Sequence, residues 1–541
     1  MILRDSLIIV GAAGVAAYLV FKRTETLKNT NLVLLLVAIP SLLSTYLSIS
    51  TVPIWNVLLV FIGYLFTILS CIVVYRVSPW HPLAAYPGPL LLSGTRGLHE
   101  QYGDVVRIGP NELSFLSPDA LGPIMGQHGL PKGQFWDGRF PENQKVRPVT
   151  ALQDLEQHRQ RRGPWNKAFS SAALKEYEVL VSKRTALLGD KLAAESESGK
   201  PVEFGQWIGW YTYDLMTDFV FSGGSEMLRQ GDVEGLIADI RSGLPNALFM
   251  SHVPWLGRLL YRIPKGFYSA QLKFRQNSFA RAMKRKEMGG EKKDLYYYLL
   301  DEANDKKVHS GPEVIADASA AVLGGSDTTS NTVTLIVFYL LTRPNALQRI
   351  KEEVDSVGDQ WNDVSVQTKM PYLNGIINET LRMWPAVLDG SQRRIQSDSQ
   401  GRMVGESYVP PGTNVTIPFY SLQRDPRHFS PIPDEWISER WLDEAQRIQL
   451  EPKLFSGAGY KHDMKCFVAF SAGPANCVGK GLAMMEMRAA ICMLLKRFDM
   501  RLRDHEKVKG SFERGIQDLW TMRTEDLWVE FSERRLLKSV A

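Results

Sequence analysis

The stretch FSAGPANCVGKGLA, Phe470 to Ala483, places one cysteine among glycines and a proline, directly before a run that reads as helix. A cysteine there meets free backbone N–H groups and the positive end of the helix dipole, which favour its thiolate. Gly473 and Gly479 let a flat group approach the backbone, and Phe470 can wall off one side. These are the requirements of a single thiolate, Cys477, bound to a metal on its open face. A buried, inert cysteine at a loop–helix junction satisfies the same few residues taken alone.

A second stretch, SGPEVIADASAAVLGGSDTTSNTVTLIVFYLLTRP, opens with Ser310 and Pro312 in helix-starting positions and stops before Pro344. Some thirty residues make a helix of about 45 Å, long enough to cross a domain. Both faces are largely apolar, so it reads as a central, buried helix. Its middle, Gly324-Gly325-Ser326-Asp327-Thr328-Thr329, carries a flaw. Each glycine costs about 1 kcal/mol against alanine, and a buried aspartate costs more unless paired. Either the hydroxyls bond back to the preceding turn and kink the helix, or the flaw is a local opening. In an opening, a small ligand and a water fit beside a hydroxyl and a carboxyl, Thr328 and Asp327, that relay protons.

Glu379 and Arg382, in YLNGIINETLRMWP, stand three apart on one helical face amid Ile376, Ile377, Leu381, Met383 and Trp384. A buried pair of this kind needs further hydrogen bonds, and Arg440 in PDEWISERWL can close the set.

The elements that must carry these residues come from the rest of the 541-residue chain. Its net charge of +5, from 63 basic and 58 acidic residues, does not argue for nucleic acid. Its four cysteines include no CxxC pair, which argues against a disulfide framework or structural zinc and for a reducing compartment. From Asn29 to Tyr75 there is no Asp, Glu, Lys or Arg. That length holds two membrane spans, roughly 32–50 and 53–75, and a shorter apolar run at 7–21 makes three the preferred count over two. Lys22, Arg23 and Lys28 then share a side with Arg76, which the positive-inside rule makes cytosolic. The expected organisation is an anchor over residues 1–78 and a catalytic domain over 79–541. A proline-rich linker with Pro79, Pro82, Pro87 and Pro89 joins them. Tyr102–Leu116 reads as two short strands joined at Gly109-Pro110. Beyond residue 150 the pattern is mostly helical, with short strands returning around Arg393–Thr416.

Together these motifs resemble the cytochrome P-450 family, haem-thiolate monooxygenases, of the membrane-bound fungal type. Phe470, Gly473, Cys477 and Gly479 fall on the family's haem loop. Gly324, Gly325, Asp327, Thr328 and Thr329 fall on its oxygen-activation motif. Glu379 and Arg382 match its E-x-x-R pair, with Arg440 completing that triad. The resemblance implies a mainly α fold with small β-sheets, with haem between a long central helix and the Cys-loop helix, behind the N-terminal transmembrane anchor. Two departures stand out. Ala475 replaces the loop arginine that usually binds a haem propionate, and Ser438 replaces a proline beside Arg440. His158 and Arg162, four apart on one face, with Arg393 or Arg394, are the expected replacements.

By resemblance, Cys477 is the axial ligand of haem b (iron protoporphyrin IX), and Asp327 and Thr328 are the catalytic residues that deliver protons. Glu379, Arg382 and Arg440 hold the fold and do no chemistry. Without a nicotinamide or flavin fingerprint of its own, the chain needs electrons from NADPH through a partner, NADPH-cytochrome P-450 reductase, with cytochrome b5 as an optional donor. Lys465 and Lys480 suit that docking face. The implied site is the endoplasmic reticulum membrane with the catalytic domain facing the cytosol. The implied substrate is a lipophilic small molecule of fungal secondary metabolism (terpenoid or similar) or a xenobiotic. The alternatives are a haem-thiolate desaturase or isomerase and a non-catalytic haem-binding protein. Pocket walls are expected from Leu121–Val149, Asn246–Pro264 and the residues after Trp384, with Asp389 an unexplained acid nearby.

Overall fold

The computed structural model describes residues 2–24, 28–47, 54–87, 95–141, 144–261, 269–289, 292–300, 309–457 and 459–534. Three of its helical stretches, Ser6–Arg23, Thr30–Leu47 and Ile54–Arg76, are long and apolar enough to cross a membrane. They pack on one another: Tyr64 Oη donates to the Leu35 carbonyl at 2.7 Å. Lys22 Nζ lies 3.6 Å from the centre of the Tyr75 ring, so the first and third helices end side by side. The expected second span ran to residue 50 and the third began at 53; residues 48–53 lie outside the described residues, as do Gly88 and Pro89 of the linker.

The rest is helix-rich, built around the helix Gly311–Thr342. Ser310 and Glu313 form a capping box at its start, and Pro344 follows its end. From Thr329 to Thr342 every residue is buried. The helix Phe204–Phe221 lies along it and reads the flaw directly: Thr212 Oγ1 donates to the Ser326 carbonyl at 3.0 Å. No kink is needed, because the helix is continuous through Gly324 and Gly325.

A four-stranded sheet joins distant parts of the chain. Val105–Gly109 and Glu112–Phe115 pair antiparallel, as the Gly109-Pro110 turn predicts. Asn414–Thr416 then runs parallel to the second strand, and Arg393–Arg394 closes the sheet antiparallel. A three-stranded sheet of Phe498–Leu502, Trp528–Glu533 and Val202–Glu203 packs elsewhere. The short helix Pro254–Leu260 contacts the Asn29–Val33 segment of the anchor.

Candidate active site

Cys477 precedes the helix Lys480–Arg497, whose N-cap is Gly479. The preceding loop is pinned by the Cys477 amide, which donates to the Phe470 carbonyl at 2.9 Å, and by Asn476 N to Gly473 O at 3.1 Å. Gly473 has φ +70°, and a Cβ there would meet the Met125 carbonyl oxygen at 1.8 Å. Only glycine permits that close approach. Gly479 differs: its Cβ position lies 3.9 Å from Cys477 Sγ and 3.7 Å from the Phe169 ring, ordinary contacts that would tolerate a methyl group.

Cys477 keeps accessible surface although it lies deep in the protein, so its sulfur faces an internal space. Burial raises its thiol pKa. The N–H groups of Gly479 and Lys480 and the charges of Arg162 and Lys480 oppose that rise. Cys466 and Cys492 contrast with it. Both are buried, and burial pushes each thiol up to about 12.

The two glycines of the central helix do different work. A Cβ on Gly325 would meet Met216 Sδ at 2.4 Å, whereas Gly324 has no atom within 4 Å of its Cβ position. Gly325 therefore serves packing against the neighbouring helix, and Gly324 leaves space beside it. Thr328 Oγ1 donates to the Gly324 carbonyl at 2.7 Å, so the hydroxyl bonds back to the preceding turn while the helix stays unbroken. Asp327 Oδ2 accepts from Thr521 Oγ1 at 2.7 Å, and Asn331 Nδ2 approaches Oδ1 at 3.4 Å. Burial raises the Asp327 pKa, while Thr521, Arg241, Asn331 and Arg523 counter it.

Glu379 and Arg382 are both fully buried and joined by two hydrogen bonds of 2.8 Å. Arg382 also donates to the carbonyls of Gln423, Pro433 and Glu435. Glu379 accepts from Ile437 N at 2.8 Å and Trp441 Nε1 at 2.9 Å, and Arg440 Nε stands 3.5 Å away. Burial alone would raise Glu379, but the Arg382 and Arg440 charges and these bonds hold it at about 2. Ser438, the departure from the expected proline, is absorbed: its hydroxyl bonds Tyr372 Oη at 3.0 Å and Glu439 Oε2 at 3.2 Å. Gln423 links this unit to the cysteine loop. It donates to the Leu381 and Arg382 carbonyls and accepts from Val468 N at 2.8 Å.

The helix Leu155–Ala168 carries His158 and Arg162. It is fixed to the central helix by Asp317, which accepts from Arg161, Trp165 Nε1 and Val149 N. Arg162 turns instead to the cysteine loop, where Nη2 donates to Asn476 Oδ1 at 3.1 Å. His158 is buried, and its pKa falls to about 3 through burial and the charges of Lys132, Arg162 and Arg393. Arg393 faces the same cluster, while Arg394, the next residue along the strand, bonds Ser397 Oγ at 3.1 Å. Lys132, in GLPKGQF, belongs to the cluster without any motif signal in the sequence. Its partner across the chain, Arg393, is 261 positions away, shown here by an isolated antiparallel bridge. Thr521 was equally silent: a hydroxyl in a short C-terminal strand looks like any other.

The first two anticipated pocket segments meet. Phe135 and Trp136 pack with Phe140, Leu248 and Trp520, and Phe135 lies 5.7 Å from His252, ring to ring. Pro264, the expected limit of the second segment, lies outside the described residues. Asp389 Oδ1 accepts from Thr95 Oγ1 at 3.4 Å, and its pKa is pushed up to about 7 by burial and neighbouring Asp518. Lys465 and Lys480 are exposed.

An exposed sulfur before a helix N-terminus, free space beside Gly324 on the central helix and buried cations fit a flat metal complex bearing carboxylates. Arg393 Nε is buried with no acceptor among the described residues, which an anionic ligand would supply. Residues 88–526 match the Cytochrome P450 family. The Cytochrome P450 monooxygenase FCK2 of Fusarium pseudograminearum is 30% identical over 501 residues, covering 86% of this chain and 85% of its own. The Cytochrome P450 monooxygenase phqL of Penicillium fellutanum is 30% identical over 472 residues, covering 85% and 78%. The Averantin hydroxylase of Dothistroma septosporum is 28% identical over 487 residues, covering 85% and 88%. The chain belongs to the cytochrome P450 family. It is a fungal-type monooxygenase with the family's helix-rich fold, its three apolar N-terminal helices fit an anchor, and the family implies haem, a redox partner and a lipophilic substrate.

Proposed function

We propose that the Cys477 thiolate would hold the haem iron and that residues 79–541 form one catalytic domain behind an anchor of residues 1–78. The observation that carries this reading is the Cys477 sulfur, open to an internal space with the N–H groups of Gly479 and Lys480 favouring its thiolate. When bound, the haem supplies dioxygen activation, helped by thiolate electron donation. Around it, Arg162, Arg393 and His158 are the candidate partners of the propionates, whereas Arg394 leaves the other face of the strand toward Ser397. Phe470 walls the sulfur side.

Thr328 Oγ1 gives its proton to the Gly324 carbonyl, so its lone pairs are free to accept from a water held against the helix. Asp327, its carboxyl oriented by Thr521 and Asn331, would carry protons toward that water. Glu379, Arg382 and Arg440 hold the loop through Gln423 and take no part in proton movement. The substrate is a lipophilic secondary metabolite, oxidised by hydroxylation as the name of the averantin relative suggests. Electrons come from NADPH through cytochrome P-450 reductase, with cytochrome b5 as optional donor, docking near Lys465 and Lys480. The anchor lies in the endoplasmic reticulum membrane, with the catalytic domain cytosolic.

The test is the carbon monoxide difference spectrum of the reduced protein in microsomes. A red-shifted thiolate band that Cys477→Ser abolishes supports the ligand. A histidine-like band in the wild type refutes it.

A further inference from the structure

Lys132, His158, Arg162 and Arg393 pose an electrostatic problem that no carboxylate among the described residues solves by a direct ion pair. Lys132 and Arg393 are paired across an antiparallel bridge, so their side chains leave the same face. Both are almost wholly buried, at 9% and 3% exposed. Lys132 Nζ donates to the Val149 carbonyl at 3.0 Å, which uses one of its three donors. The acid acting on Lys132 is Asp317, whose oxygens already serve Arg161, Trp165 and the Val149 amide. Among the described residues Arg162 bonds neutral oxygens, those of Asn166 and Asn476. Burial, Arg393 and Arg162 together drive the Lys132 pKa well below its ordinary value. Buried like charges held this close call for an anion.

The cluster touches the cysteine loop beside the position that lost its cation. Arg162 reaches Asn476, which adjoins Ala475, and Ala475 has no donor to offer a carboxylate. We propose that Lys132 stands in for the missing loop arginine, donating to a haem propionate alongside Arg393 and Arg162. This rests on the haem-thiolate reading above. A lysine donates as a point charge rather than a fork, so it suits one carboxylate oxygen while the two arginines hold the others. The anion would restore Lys132 to its charged form.

The test uses the full-length holoenzyme and Lys132→Met, with two measurements. Transfer of haem to excess apomyoglobin should be at least about ten-fold faster in the variant, the loss expected of one charge-assisted hydrogen bond. The red-shifted carbon monoxide band should persist. The haem-free variant should melt no lower than haem-free wild type, because an amine buried beside two cations has been removed, and Lys132→Arg should restore slow haem loss. Unchanged haem transfer overturns the proposal. So does parallel destabilisation of the haem-free and haem-bound forms, which marks a purely structural lysine. Iron protoporphyrin dimethyl ester gives an independent probe. Wild type and Lys132→Met should retain it equally, and a persistent difference means Lys132 acts elsewhere. A wild type without the thiolate band overturns the underlying haem-thiolate reading itself.

Discussion

Thr521 Oγ1 donates to Asp327 Oδ2 at 2.7 Å, joining a C-terminal strand to the middle of the central helix. The acid proposed to feed protons is thus set by a hydroxyl 194 positions away. Its bond favours the ionised carboxylate against burial. Thr521→Val should raise the Asp327 pKa and move the Asp327-dependent limb of the pH profile for coupled turnover upward. An unmoved profile in this variant would rule out Asp327 as the titrating group.

Thr328→Ala should leave haem binding intact and uncouple electron use from product. NADPH consumption would continue while product per NADPH falls several-fold. Tight coupling in this variant would remove Thr328 from proton delivery.

Gly324→Ala and Gly325→Ala should part company. At Gly324 the added methyl meets nothing, so helix propensity should stabilise the protein by about 1 kcal/mol. The same methyl enters the space beside Thr328, and turnover should fall. At Gly325 the methyl meets the Met216 side chain, and overpacking of about 1–3 kcal/mol offsets the propensity gain. Paired thermal melts and turnover assays check both.

Glu379→Gln should lower stability by about 3–5 kcal/mol, because it leaves Arg382 and Arg440 buried without their counter-charge. The pH dependence follows from the same group. Its folded pKa of about 2 lies below its ordinary 4.5. Glu379 therefore stabilises fully above pH 4.5, and that contribution disappears as pH falls toward 2. Acid unfolding of Glu379→Gln should lack this component.

Asp389 acts with the opposite sign. Its carboxyl is held up to about 7 from an ordinary 3.8, so the folded state binds the extra proton between those values. Stability from this group is present below about pH 4 and is lost as pH rises through 7. Asp389→Asn should flatten that decline in melts taken across the range.

The sequence alone determined the class of this protein because its signals are local. A cysteine before a helix, a glycine pair inside one, an acid and a base three apart, and the charge-free stretch from Asn29 to Tyr75 all act through neighbouring residues. The long helix, the strands at 105–115 and the apolar N-terminal helices are legible for the same reason. Ala475 and Ser438 were visible as departures, but not how each is accommodated. Tertiary structure decided that. Ser438 finds Tyr372 from a separate helix. Lys132 meets Arg393 across a bridge between remote segments, and Thr521 reaches Asp327 from the far end of the chain. The two central glycines look equivalent in sequence and differ only because Met216 lies over one of them. Partners this distant are chosen by packing, and burial sets the charge each one carries.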